Sequence, residues 1–204
     1  MNKIVLIAII VLVVLIAIIV AVPLILGHGV SSGGSYITPS EAASVIGGTW
    51  SIEEDQSFYF TVNGNNDVTI KYFNGTTETK PLSALLSSSN MFGSSYIPTS
   101  GMVESLKGTV NNESSSIDAF CFTFSSSTAA KDFYSNMQAA TIFFATQMQN
   151  VSSNAFVFYG PGGNFGQEYL SGIIELNGNT VYVVVVTAPM PLGSATLENL
   201  VSYM

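Results

Sequence analysis

The sequence predicts an α+β protein: an N-terminal transmembrane helix followed by one extracytoplasmic domain with a mainly antiparallel sheet and packed helices. Three observations predict it. Residues 4–26 carry no charged side chain. Beyond them, β-branched and aromatic stretches recur between clusters of Gly, Asn, Ser and Pro, the pattern of strands and turns. Helical periodicity is confined to a few separate segments, so the chain lacks the regular βαβ alternation of a parallel sheet.

A helix over 4–26 would rise about 34 Å, enough to cross a bilayer. A cleavable signal has a shorter apolar core, of about 7–15 residues, and a small-residue site after it. The core here is longer, and "AVP" and "GHG" are poor sites, so the segment is expected to stay as an anchor. Lys3 is the only Lys or Arg before Lys71, which puts residues 1–3 in the cytoplasm and the rest outside. Residues 27–35 form a Gly/Ser linker and 36–204 the domain, long enough for one sizeable core.

Within the domain, "TPSEAASVIGG" sets Thr38 as a helix N-cap, Pro39 at the first turn, Glu41 to close a capping box and Gly47-Gly48 as the stop. "TWSIEE", "SFYFTV" and "DVTIKYF" read as strands, the last two joined at "NGNN". "PLSALLSS" reads as a helical turn and 87–101 as a long loop. "SIDAFCFTF" is a strand, and 125–149 a helix capped by Ser126 or Ser127 with Phe133, Met137, Thr141, Phe144 and Met148 along one face. "NAFVFYG", "QEYLSGIIEL" and "NTVYVVVVTA" are strands, the last two joined by the hairpin signal Asn177-Gly178. "PMPLG" then breaks the chain before a helix capped by Ser194. "AFCFTF" and "VYVVVV" are apolar at odd and even positions alike, so both faces of these strands must be covered. The helices at the two ends of the domain can cover the face that the 125–149 helix does not, or a partner or second copy can.

Composition excludes several functions. Charged residues are 9% of the chain, where about 25% is usual, and there is no arginine. A net charge of -8 excludes nucleic acid as a partner, and the missing arginine removes bidentate phosphate recognition. The one histidine, His28, lies beside the apolar run, so the domain has no histidine base and no His-Cys zinc site. Cys121 is alone, which rules out an internal disulfide, and reads as a buried thiol. "YGPGGNFG" lacks the spacing of a phosphate cradle and reads as a hairpin loop. Glu53, Glu54 and Asp55 lack the alternating oxygens of a calcium loop and read as a solvated turn. Asp118, Asp132, Glu168 and Glu175 could supply paired carboxylates, but no spacing selects a pair. No catalytic residue, metal ligand or cofactor is therefore expected. Three sequons, at Asn74, Asn112 and Asn150, are glycosylation candidates.

A surface rich in Ser, Thr, Asn and Gly stays hydrated at any pH and suits an acidic exterior. In this composition, over its whole length, the chain resembles the membrane-anchored, hydroxyl-rich exported surface proteins of acidophilic archaea. The expected function is that of a non-enzymatic cell-surface protein in envelope assembly, adhesion or protein–protein interaction, with protein partners or self-association. The alternatives are an accessory single-span subunit of a membrane complex and an extracytoplasmic ligand-binding or carboxylate-based enzymatic module.

Overall fold

Helix α1 (Pro39–Ile46) opens the fold, and four strands follow: β1 (Thr49–Ile52), β2 (Phe58–Val62), β3 (Asp67–Tyr72) and β4 (Thr77–Pro81). Two long strands, β5 (Ser100–Val110) and β6 (Glu113–Thr123), lead into α2 (Ser127–Thr141). The chain finishes with β7 (Gln147–Asn150), β8 (Ala155–Pro161), β9 (Tyr169–Asn177), β10 (Thr180–Ala188) and α3 (Ser194–Val201). The computed structural model describes residues 36–64, 67–82, 97–162 and 168–204. The apolar run 4–26, the linker 27–35, most of "PLSALLSS" and most of the expected 87–101 loop lie outside the described residues. Among the described residues no helix is long and apolar enough to cross a membrane.

All ten strands join one antiparallel sheet in the order β4-β3-β2-β5-β6-β10-β9-β8-β7. β1 lies off this path. It pairs with the far half of β5 (Ile52 opposite Leu106), while β2 pairs with the near half (Phe58 opposite Val103). At the junction Ser57 is buried, and its Oγ accepts the Ser105 N–H at 3.0 Å, so the ladder stays bonded where the partner changes.

The doubly apolar strands are covered on both faces from within the chain. α2 lays Ala130, Phe133 and Tyr134 over one face, against Phe120, Phe122, Phe156 and Phe158. α1 and α3 bring Ala42, Ile46, Leu197 and Leu200 to the other, over Leu106, Ile117, Val157, Ile173 and Val184. The helices of the two chain ends thus do the work for which a partner was the alternative, and α1 and α3 touch one another.

Local chemistry explains most boundaries. Thr38 and Glu41 form the expected capping box, and Gly47 ends α1 at φ 88°. Ser126 caps α2 through the Ala129 N–H. The structure corrects four expectations. α2 stops at Thr141, and Met148 belongs to edge strand β7. The 3.6-residue period still holds in space, because Phe144 and Met148 pack on the same core as Phe133. α3 is capped by Gly193, with Ser194 its first residue. β4 occupies "TETKP", and β5 begins inside the expected loop.

The long hairpin β5–β6 turns on Asn111 and Asn112, at φ 54° and 66°. Two left-handed residues in succession make the tight turn whose twist matches that of the strands, and Asn, with its short polar side chain, is among the few residues other than Gly that adopt this conformation.

Candidate functional site: a hydroxyl-lined sheet face

Helices α1 and α3 cover only the part of their face on the β1 side. The sheet register shows what occupies the rest. Thr79 pairs with Thr69, Thr69 with Thr61, and Thr61 with Ser100. Ser100 then pairs with Thr123, Thr123 with Thr180 and Thr180 with Asn177. Directly opposed residues share a face. One hydroxyl or amide side chain from each of seven adjacent strands therefore forms a single row. None of the seven is buried. Neighbours touch in places: Thr69 and Thr79 hydroxyls lie 3.4 Å apart, Thr123 and Thr180 3.3 Å, and Asn63 Nδ2 donates to Thr69 at 3.1 Å.

One row inward lie Lys71, Tyr59, Met102, Cys121, Tyr182 and Glu175, again in direct register. Tyr59 stacks on Phe73, ring centroids 5.2 Å apart. Tyr36 bonds to Cys121 through its hydroxyl, between Tyr59 and Tyr182. Burial, then the neighbouring Cys121, pushes the Tyr36 phenol up to about 12. Burial raises Tyr59 and Tyr182 as well, with help from Glu104 at the first and from Cys121 and Glu175 at the second. All three phenols are therefore hydrogen-bonding groups, not charges. Cys121 is 5% exposed, and burial raises its thiol too, so it is the inert core thiol expected.

At its β9 end the face drops into a groove of about 440 Å³ between the sheet and the end of α3. Ala155 and Ile173 line it along the sheet, with Glu175, Asn177 and Tyr182, and Glu198 comes from α3. Of the expected carboxylates only Glu175 reaches this site. Asp118 lies on the opposite face, Asp132 is exposed on α2, and Glu168 closes the β8–β9 hairpin by accepting the Gly162 N–H, so no two of the four meet. The groove's second carboxylate, Glu198, was not among the sequence candidates, because helix and strand meet there only through the tertiary fold.

The other expectations find plain structural places. Gly160 and Gly162 belong to the β8–β9 hairpin, whose residues 163–167 lie outside the described set. Glu53 pairs with Lys107 and accepts from Gln56, while Glu54 and Asp55 are exposed in the turn. Among the described residues no group of three or more His, Cys, Asp or Glu side chains could hold a metal. Asn74 sits in the β3–β4 turn and accepts the Thr76 N–H at 2.9 Å. Asn112 is exposed in the β5–β6 turn, and Asn150 is exposed at the end of β7.

Asp118 yields a pH prediction. Burial raises its carboxyl, while the Ser105 hydroxyl, donating at 2.9 Å, and nearby Lys107 partly oppose this. A folded-state value above the unfolded one means that folding favours the protonated acid. Its contribution is whole below about pH 3.9, the ordinary Asp value, and is lost as pH rises through the folded-state value. Asp118→Asn, neutral throughout, is therefore expected to raise Tm at pH 7 and to leave it unchanged at pH 3, as paired thermal melts would show.

No protein-family model and no curated protein matches the chain. Among solved structures, the extracellular domain of PknH from Mycobacterium tuberculosis shares the fold. The two superpose with a TM-score of 0.54 at 10% identity, over 81% of this chain and 88% of that one.

Proposed function

We propose that this chain is a non-enzymatic recognition protein of the cell surface, held in the membrane by residues 4–26 and engaging its partner through the hydroxyl-lined sheet face. The observation that carries this reading is the face itself. Among the described residues no helix lies over the row, whereas α2 packs on the other face and α1 and α3 pack on this one beyond the row. The extracytoplasmic placement is supported by the apolar N-terminal run and by the fold shared with an extracellular domain. The hydroxyl-rich, arginine-free composition fits the acidic exterior of the surface proteins that the chain resembles. Asn112, at the tip of a long hairpin, is the sequon best presented for glycosylation.

The accessory-subunit reading has its own observation. Ile142 and Phe143 are 65% and 50% exposed, and Tyr169 and Met190 lie exposed at the end of the sheet away from the hydroxyl row. An apolar corner of this kind is a contact surface for other chains.

One experiment separates the two readings. A photo-crosslinking amino acid is placed at Thr180, Phe143 or Asp132 of the full chain in its own membranes. The recognition reading expects adducts from Thr180 and none from Asp132, on the outer side of α2. Adducts from Phe143 alone would move the interaction to the apolar corner, and silence at Thr180 would sink the proposed face.

A further inference from the structure

We infer that the ligand of this face is a linear, neutral glycan, laid across the strands along the hydroxyl row with its sugar rings against the tyrosines. This rests on the recognition reading above and adds the chemical class of the ligand.

Polarity is the first argument. Each Thr or Ser hydroxyl both donates and accepts, and the amide of Asn177 does the same. An uncharged row with this dual capacity complements a partner whose own hydroxyls do likewise. Threonine is stiff at χ1, and its place in a paired strand fixes the backbone, so little freedom is lost on binding.

Geometry is the second. Strands lie about 4.8 Å apart, so seven strands present one polar side chain each over about 29 Å. The strand spacing, about 4.8 Å, is close to the length of one sugar residue in an extended chain. Behind the row, the half-buried Tyr36, Tyr59 and Tyr182 offer apolar ring surface with a polar tip, suited to the flat, partly apolar face of a sugar. The sheet also twists by roughly 20–25° per strand, so the row winds. A single flexible chain can follow such a path, whereas a flat crystalline surface cannot.

Charge narrows the class. Glu175 and Glu198 stand at one end of the face, the chain carries -8 overall, and arginine is absent. An anionic polymer would be repelled and would find no guanidinium to pair with. A protein partner would normally seek a buried apolar centre, and the row has none.

The test titrates the purified full chain in detergent with linear gluco- and manno-oligosaccharides of increasing length, with alginate as the anionic comparison. Affinity is expected to climb with length and level off at about six or seven sugars, when the oligomer spans the strands of the row. Thr123→Val with Thr180→Val keeps shape and strand propensity but removes two hydroxyls, and should weaken binding by about tenfold. Asp132→Asn, on α2, should leave it unchanged. Flat titrations with every neutral oligosaccharide, for protein that melts normally, would overturn the inference. So would tighter binding of alginate, or undiminished binding by the double variant. If crosslinking at Thr180 traps a protein while these titrations stay flat, the recognition reading stands and the glycan falls.

Discussion

Replacing Phe156 by alanine is expected to cost about 3–5 kcal/mol and to lower Tm by about 6–20 °C for a domain of this size. The side chain is fully buried on β8, edge-on to Tyr134 of α2 at 5.6 Å and 6.3 Å from Phe158. It is thus a main contact by which α2 grips the sheet. Truncation removes the transfer energy of a whole ring, and the cavity left behind is framed by a rigid ladder that cannot collapse into it. Thermal denaturation followed by near-UV circular dichroism, which reports the aromatic core, measures the loss. Phe156→Leu fills most of the volume and should recover more than half of it.

The second large effect runs the other way in volume. Gly172 on β9 faces Phe158 on β8, and a Cβ built at Gly172 would stand 2.3 Å from the phenyl Cζ. Gly101 beneath Phe60 and Gly108 beneath Trp50 repeat the arrangement, each glycine directly opposite its aromatic partner. The ring lies across the bare backbone and supplies the cover that a side chain would have given. Phe158 is 2% exposed and has no space to swing into, so Gly172→Ala should cost about 1–3 kcal/mol through overpacking. Urea unfolding should show a lower midpoint at unchanged slope. Shortening the ring at the same time, Gly172→Ala with Phe158→Leu, should cost less than the sum of the two single changes, because the clash is shared.

These glycines also explain what the sequence concealed. β5 is a central strand, yet "SGMVESLKGTV" contains two glycines, a lysine and a glutamate. By local preference it reads as loop. Both glycines are tertiary, each placed under an aromatic from a neighbouring strand. Glu104 sits in the same strand at 0% exposure, its Oε2 accepting the Ile37 N–H at 2.9 Å. "NNES" hid a hairpin for a related reason, since Asn-Asn can do the work usually given to Asn-Gly. The apolar pattern runs on past Thr141 because Phe144 and Met148 pack on the same core as Phe133, though the chain reaches them as loop and edge strand. Elements whose signals are local, such as the capping box at Thr38 and the Asn177-Gly178 turn, stood in plain view. The hydroxyl row could not. Its members come from seven strands and are spread from Thr61 to Thr180, so only the register puts them in line.

The Glu104–Ile37 bond also bears on how the molecule carries tension. A pull on the chain ahead of Tyr36 reaches Tyr36, bonded to Cys121, and then Ile37. This residue is fully buried, and its N–H is fastened to the middle of β5. β5 is paired along eleven residues with β6 on one side and with β1 and β2 on the other. The load therefore enters the sheet at one of its most heavily bonded strands and spreads in both directions. Edge strands β4 and β7 are the last to feel it. The rim of the sheet can fray and re-form while the bond between Glu104 and Ile37 holds the first described residues on the central strand.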